Sequence, residues 1–247
     1  MNKVKIIVPY IYEEEIKELR SRIWKLPVVF WKDNYRIGSD LAYQTLWHMY
    51  PDYDIIILHA DMLPMTEDVN NEWFYKLCDY AASKEDGGIF GSVLLYPVKN
   101  ANNNFIVQHA GGIFKNNEAL HVGGGLDVFS LNTIGTGELV EYTRQYKGIW
   151  EVSWVTFGGC YIKRSVIDNI PFFDPAYYWT YYRDVDYCLK ANQAGYKIYQ
   201  TDVELLHFEG KDNKRLQSEI KTLNEKVAIN HSIFLDKWKD KIVNEES

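Results

Sequence analysis

The chain is poor in cysteine. Cys78, Cys160 and Cys188 are three among 247 residues, far apart and without metal-ligand spacing. An odd, sparse set excludes a disulfide scaffold and suits a reducing compartment. Long apolar runs are lacking as well, and no stretch approaches the ~20 residues of a membrane span. Met1-Asn2-Lys3 leads directly into an apolar strand that is too short for a signal peptide and has no small-residue cleavage site. The expected location is cytoplasmic, with peripheral membrane attachment as the other option. Positive charge is in deficit: 27 basic against 34 acidic residues give a net charge of −7. That argues against a general nucleic-acid or anionic-membrane surface, though not against a small basic pocket for a phosphate. Two glycine signatures for phosphate are missing too. The first strand is not followed by G-x-G-x-x-G, and no G-x-x-x-x-G-K-[ST] occurs. If a nucleotide binds, something other than glycine amides holds its phosphates, and a metal ion is the obvious candidate.

What is present suits one large α/β domain. Hydrophobic content is 47%, enough for a large core, and aromatic content is 15%, which serves either core filling or stacking on sugars and bases. Val4 to Val8 reads as a strand ended by Pro9-Tyr10, since proline cannot join a central ladder. Residues 11–23 place acids first and bases last, as a helix dipole favours. Residues 27–31 form a second strand, followed by Lys32-Asp33-Asn34. Residues 38–50 form a helix with Leu41, Thr45 and His48 on one side and Ala42, Leu46 and Met49 beside them. A third strand follows at 54–58. Strands alternating with helices predict a mostly parallel sheet with right-handed crossovers, flanked by helices.

Further on, 62–70 reads as a loop and 71–84 as a helix. A strand covers 88–96, an Asn-rich turn 97–104, and a strand kinked at Gly111-Gly112 covers 105–114. Residues 115–137 read as a long surface loop positioned to order over a ligand, with His109 and His121 beside it as loop or pairing histidines. Glu151 to Phe157 alternates like a strand. Gly158-Gly159 then implies close approach of another group to the backbone. A short helix at 165–169 and two short strands at 197–201 and 203–206 complete the pattern. The tail, 212–242, carries Leu216, Ile220, Leu223, Val227, Phe234 and Trp238 as an amphipathic stripe. The division expected is a domain at 1–211 and a helical extension at 212–247. The extension packs on the domain or forms a homodimer contact, and its mixed charge disfavours a membrane-surface role.

Three stretches carry candidate chemistry. The apolar run Asp54-Ile55-Ile56-Ile57-Leu58 changes abruptly to His59-Ala60-Asp61, a polar end to a buried strand, where open α/β sheets gather ligands. A carboxylate and an imidazole can bind a divalent cation there, or the Asp can simply cap a turn. Arg183-Asp184-Val185-Asp186 opens a helix that stops at Gly195. Asp184 and Asp186 cannot share a face of it, so one can cap while the other faces a cleft. The last short strand ends in His207, a further imidazole that could complete a cation's protein ligands.

Together, Val8-Pro9, the acid at the third strand end, Gly158-Gly159-Cys160-Tyr161-Ile162-Lys163-Arg164, Phe173-Asp174, Arg183-Asp184-Val185-Asp186-Tyr187-Cys188, Ala194-Gly195-Tyr196 and His207 resemble glycosyltransferase family 2. The resemblance runs from about residue 4 to 210 and is strongest after Gly158. It implies a single GT-A domain and inverting transfer of a hexose from a nucleoside-diphosphate sugar, with a UDP-sugar expected, to a saccharide or glycoconjugate. It also implies Mn²⁺ or Mg²⁺ as cofactor. Asp61 takes the place of the metal and diphosphate residue, His207 that of the histidine that can join the metal, and Asp184 that of the catalytic base. His59 stands where the family has an acid, and falls to the metal or the ribose. The implied donor set is Pro9, Tyr10, Tyr12, Asp33, Arg36, His59, Ala60 and Asp61. The implied acceptor set is Trp154, Gly158, Gly159, Trp179, Tyr182 and Arg183, the aromatics among them being equally good core residues. Two other classes compete with this one. A nucleotidyltransferase would need a Gly- and Lys/Arg-rich loop after the first strand, and a non-catalytic carbohydrate-binding module would need no metal.

Overall fold

The computed structural model describes residues 3–99, 101, 103, 105–113, 132–133, 147–177, 182–208 and 220–244. The strands are β1 (Val4–Tyr10), β2 (Val28–Lys32), β3 (Asp54–Ile57), β4 (Met62–Pro64), β5 (Gly87–Lys99), β6 (Phe105–His109), β7 (Gly112–Ile113), β8 (Asn132–Thr133), β9 (Ile149–Val152), β10 (Cys160–Ile162) and β11 (Lys197–His207). The helices are α1 (Glu13–Ile23), α2 (Ser39–Met49), α3 (Glu72–Ser83), α4 (Arg164–Asn169), α5 (Arg183–Gln193) and α6 (Ile220–Asn244). The main sheet runs β2-β1-β3-β10-β5-β11-β4, with β6 added to β5 and β9 to β11. The strands β2, β1, β3, β5 and β11 share one direction, and β10 lies antiparallel between β3 and β5.

The period of two along each strand divides the core into two layers. Ile6, Val8, Ile56 and Leu58 face one layer with α1 and α3, whose Leu19, Ile23, Trp73 and Leu77 are buried there. Ile7, Ile55 and Ile57 face the other with α2, α4, α5 and α6. The stripe on α2 is rotated from the one expected. Ala42, Tyr43, Leu46 and Trp47 are buried, while Leu41, His48 and Met49 are exposed. The two large aromatics outweigh a single leucine in the area they remove from water.

Several boundaries also move. β1 continues through Pro9, which lies opposite Trp31. Alternate residues bond to alternate neighbours: Asp33 N donates to Tyr10 O on the β2 side, and Leu58 N to Ile7 O on the β3 side. The missing N–H of Pro9 therefore faces the side where β3 has already ended, so proline costs no ladder bond there. β5 extends to Lys99 through the expected turn, and 62–70 contains β4. β9 ends at Val152, and Trp154 makes only an isolated bridge to Gly112. The two short strands expected after Lys197 are one, β11, with a register shift between Gln200 and Glu204.

The long helix α6 packs Phe234 and Trp238 into the second core layer, at 1% and 2% exposure. Leu216 lies outside the described residues. No helix among the described residues is long and apolar enough to cross a membrane.

One buried polar knot ties β3 to β10 and to the start of α4. Asp54 accepts from Tyr161 Oη at 2.5 Å and from Arg164 N at 2.7 Å. Asp54→Ala would strand both donors, so stability should fall by about 3 kcal/mol, two buried donors at 1–3 kcal/mol each with partial relaxation. Urea denaturation measures this, and a loss under about 1 kcal/mol would contradict the assignment.

Candidate metal and carboxylate site

The sheet opens where β3 stops. The chain passes over this edge as Leu58-His59-Ala60-Asp61 and turns into β4. β4 pairs antiparallel with the end of β11, so that Met62 lies opposite His207, and Phe208 N donates to Asp61 O at 2.9 Å. This pairing brings His207 Nε2 to 3.4 Å from Asp61 Oδ1. The His59 ring lies 5.6 Å from that of His207, at 61°. One ligand atom from each of His59, Asp61 and His207 lies within 4.8 Å of the others. On its outer side His59 stacks on Tyr43 of α2, with 6.2 Å between centroids and 10° between planes. Gly158 passes close by, and a Cβ there would sit 3.3 Å from His59 Nδ1 and from Met62 Sδ. The close approach expected at Gly158 is thus to an imidazole.

The charges are set by burial and by neighbours. Burial lowers the His59 pKa to about 4, His207 adds to this and Asp61 opposes it, so the ring is neutral at pH 7. Burial alone would raise Asp61. The hydrogen bond and charge of His207, with a contribution from His59, outweigh it and hold this carboxyl below the ordinary carboxylate value. His207 Nδ1 donates to Gln108 Oε1 of β6 at 2.7 Å, which turns Nε2 toward Asp61. An imidazole whose other nitrogen donates to a carbonyl is the usual support of a metal ligand. The donor chemistry fits a divalent cation. With two imidazoles in the set, Mn²⁺ or another first-row metal suits it better than Mg²⁺, which takes oxygen ligands.

Asp184 stands in the first turn of α5. Burial raises its pKa, and N–H bonds from Val185 and Phe157, with the Arg183 charge, offset this only in part. The Val185 bond is 3.0 Å long. Phe157 precedes Gly158, so the segment that holds Asp184 also touches His59. Tyr43 joins the two groups. Burial first, and then Cys160, Asp61 and Asp184, all push its phenol upward. The charges of Asp61 and Asp184 therefore both act on one buried phenol.

Asp186 has a different place. At 1% exposure it accepts from Lys237 Nζ at 2.6 Å and Trp238 Nε1 at 2.8 Å, and pairs with Lys190 at 2.8 Å. Arg183 pairs with Asp40 and reaches Ser39 Oγ at the start of α2, so its guanidinium is engaged within the fold.

Of the donor set, Pro9 and Ala60 line the strand ends. Tyr10 is buried and donates to Glu13 under α1. Asp33 is buried and accepts from Ile37 N and Gly38 N, which holds the loop after β2. Arg36 donates to Tyr12 Oη at 3.0 Å and lies over its ring, forming a cation–aromatic pair near the surface. Of the acceptor set, Trp154 is buried against His109 and Gly112, and Tyr182 against His231 and Phe234 of α6. Gly159 adopts φ +70 where a Cβ would meet Leu205, which explains a glycine there. Trp179 and His121 lie outside the described residues. His109 is buried and accepts from Thr156 N at 3.3 Å. Sequence reasoning missed Tyr43 and Gln108. The signal for Tyr43 was its place beside Trp47 on one helical face, and none marked Gln108.

Manganese binding without nucleotide, followed by electron paramagnetic resonance, should weaken at least about tenfold in Asp61→Ala or His207→Ala, and about 10- to 100-fold in Gln108→Leu through loss of the outer support. Unchanged affinity in all three would move the cation elsewhere.

No protein-family model matches the chain, and no curated protein matches it in sequence. Solved structures do resemble it. The crystal structure of GalNAc-T7 with UDP, GalNAc and Mn²⁺ matches with a TM-score of 0.54 at 13% identity, over 85% of this chain and 45% of that one. The chain thus spans under half the length of that protein. The crystal structure of A197 from STIV matches at 14% identity with a TM-score of 0.44, over 83% of this chain and 85% of that one. At such identity the likeness to GalNAc-T7 speaks to the fold alone: a GT-A-type α/β domain with a central, mostly parallel sheet, flanked by helices and followed by a C-terminal helix.

Proposed function

We propose that the chain is an inverting, metal-dependent glycosyltransferase akin to family 2, moving a sugar from a nucleoside-diphosphate sugar, with a UDP-sugar as the first donor to test, to a saccharide hydroxyl. The observation that carries this reading is the cluster of His59, Asp61 and His207, whose ligand atoms lie within 4.8 Å of one another past the end of β3, with the Asp184 charge acting on the same Tyr43 that stacks on His59. In this reading 1–211 form the catalytic domain and 212–247 its extension.

His59, Asp61 and His207 would hold the cation, with Gln108 orienting His207. When bound, the cation counters the charge that grows on the departing diphosphate. Asp61 suits this place because it stays ionised. Asp184 takes the proton of the acceptor hydroxyl as that oxygen attacks the anomeric carbon from the face opposite the diphosphate. The N–H groups of Phe157 and Val185 aim its carboxylate. The exposed Arg36–Tyr12 pair, at the loops after β2 and β1, serves the nucleoside end. The loop after β1, Tyr10-Ile11-Tyr12, has none of the glycines and basic residues that a nucleotidyltransferase needs there.

Asp184→Asn should lower kcat by about 10²–10⁴-fold and leave the donor KM nearly unchanged. The product anomer should be opposite to the donor's, read by proton NMR, and retention would remove Asp184 as base. Burial raises the Asp184 pKa above its ordinary 3.8, so the acid limb of kcat should lie above pH 3.8. The sign for stability follows. A carboxyl whose folded pKa is raised costs stability once pH exceeds that value, and the cost vanishes below the unfolded pKa. Asp184→Asn should then be as stable as the wild type, or more so, at pH 7. Calorimetric titration with nucleoside diphosphates tests the donor side, since the reading requires affinity that depends on Mn²⁺.

A further inference from the structure

We propose that α6 is a positioning element for Asp184, gripping the first turn of α5 on both sides of that residue. This rests on Asp184 as the base. Two independent sets of contacts carry it. On the C-terminal side, Asp186 accepts from Lys237 Nζ, Trp238 Nε1 and, at 3.3 Å, Tyr177 Oη. Lys237 also donates to Asp174 at 2.7 Å, so one ammonium ties two carboxylates. On the N-terminal side, the Tyr182 ring stacks on His231 at 5.5 Å and 30°, and packs on Phe234 at 5.3 Å.

Tyr182 has φ +67, a left-handed backbone that a bulky residue adopts only when its surroundings impose it. The ring contacts from α6 supply that constraint, directly before the Arg183-Asp184 pair. On a helix, residues two apart point about 200° away from each other. Fixing Asp186 toward α6 therefore fixes Asp184 on the opposite side, toward Phe157 N. If α5 rolled about its axis, the Asp186 contacts would break and the Asp184 carboxylate would swing away. Lys237 and Trp238 hold Asp186, and His231 and Phe234 hold Tyr182, so these contacts bear on the base through α5.

The test compares full-length wild type, Lys237→Met, Lys237→Arg and Phe234→Leu, using UDP-sugars with Mn²⁺ and a saccharide acceptor, alongside hydrogen–deuterium exchange. Lys237→Met and Phe234→Leu should each lower kcat about 10- to 100-fold, the effect of a shift of ~1 Å at the reacting groups, with donor KM and Mn²⁺ activation within about twofold. Lys237→Arg should recover most of kcat. Amide exchange should rise across 182–187 and stay unchanged across 59–62. Folded variants with wild-type kcat overturn the proposal, as does unchanged exchange at 182–187. A wild type that transfers no sugar, with the exchange coupling intact, removes the transferase reading and with it the base, leaving only the mechanical coupling. Loss of the coupling removes the proposal whatever the activity.

Discussion

The pairing of Met62 with His207 is the constraint on which the site depends. β4 has only three residues, yet its register decides whether an imidazole from the far end of the chain meets Asp61. A slip of one residue would turn every side chain of β4 or β11 to the opposite face. The register is pinned from both ends. Met62 and Leu63 are buried against the first core layer, and Phe208 N closes onto Asp61 O. Pro64 ends the strand at the sheet edge, where a missing N–H is tolerated. A short edge strand thus converts two strand ends into one cluster of ligand atoms.

This explains what could and could not be read beforehand. The order of the first three strands and the site at the end of β3 were legible, because buried parallel strands are continuous apolar runs and their carboxyl ends are polar. β4 was not, since three residues with a proline give no periodicity. The pattern offered His207 at a strand end as a further ligand, but the pairing that brings it to Asp61 was not legible in it. α2 shows a second limit. Leu41, Thr45 and His48 fit a helical face as well as Ala42, Tyr43, Leu46 and Trp47 do, and only the sizes of Tyr43 and Trp47 decide which face turns inward. With that face inward, Tyr43 reaches His59. Trp154 and Tyr182, aromatic candidates for a sugar platform, are core residues here, the commoner use of such rings.

The pair of carboxylates in α5 shows how tertiary context divides equivalent residues. By spacing alone Asp184 and Asp186 were interchangeable. The C-terminal helix separates them by giving Asp186 an ammonium and an indole N–H, to which Lys190 of α5 adds a second cation, an arrangement in which a buried carboxylate is satisfied. Asp184 receives backbone N–H groups and a single guanidinium that is itself engaged by Asp40. The less neutralised carboxylate is the one left beside the open end of the sheet.

That difference extends to Asp61, and it supports separate roles for the two carboxylates whose charges act on Tyr43. Environment pushes them apart: the histidines hold Asp61 below the usual range, whereas burial holds Asp184 above it. A cation ligand must stay ionised across the working pH range, and a proton acceptor gains by a pKa closer to that of the proton it takes. Reversing the roles would place a reluctant anion against the cation and a weak base against the acceptor hydroxyl. The neutral His59 fits the same division, because at neutral pH its ring offers a lone pair and no charge to repel the cation. The chemistry proposed here follows from which carboxylate is beside imidazole and which is beside apolar core, more than from the number of acids at the cleft.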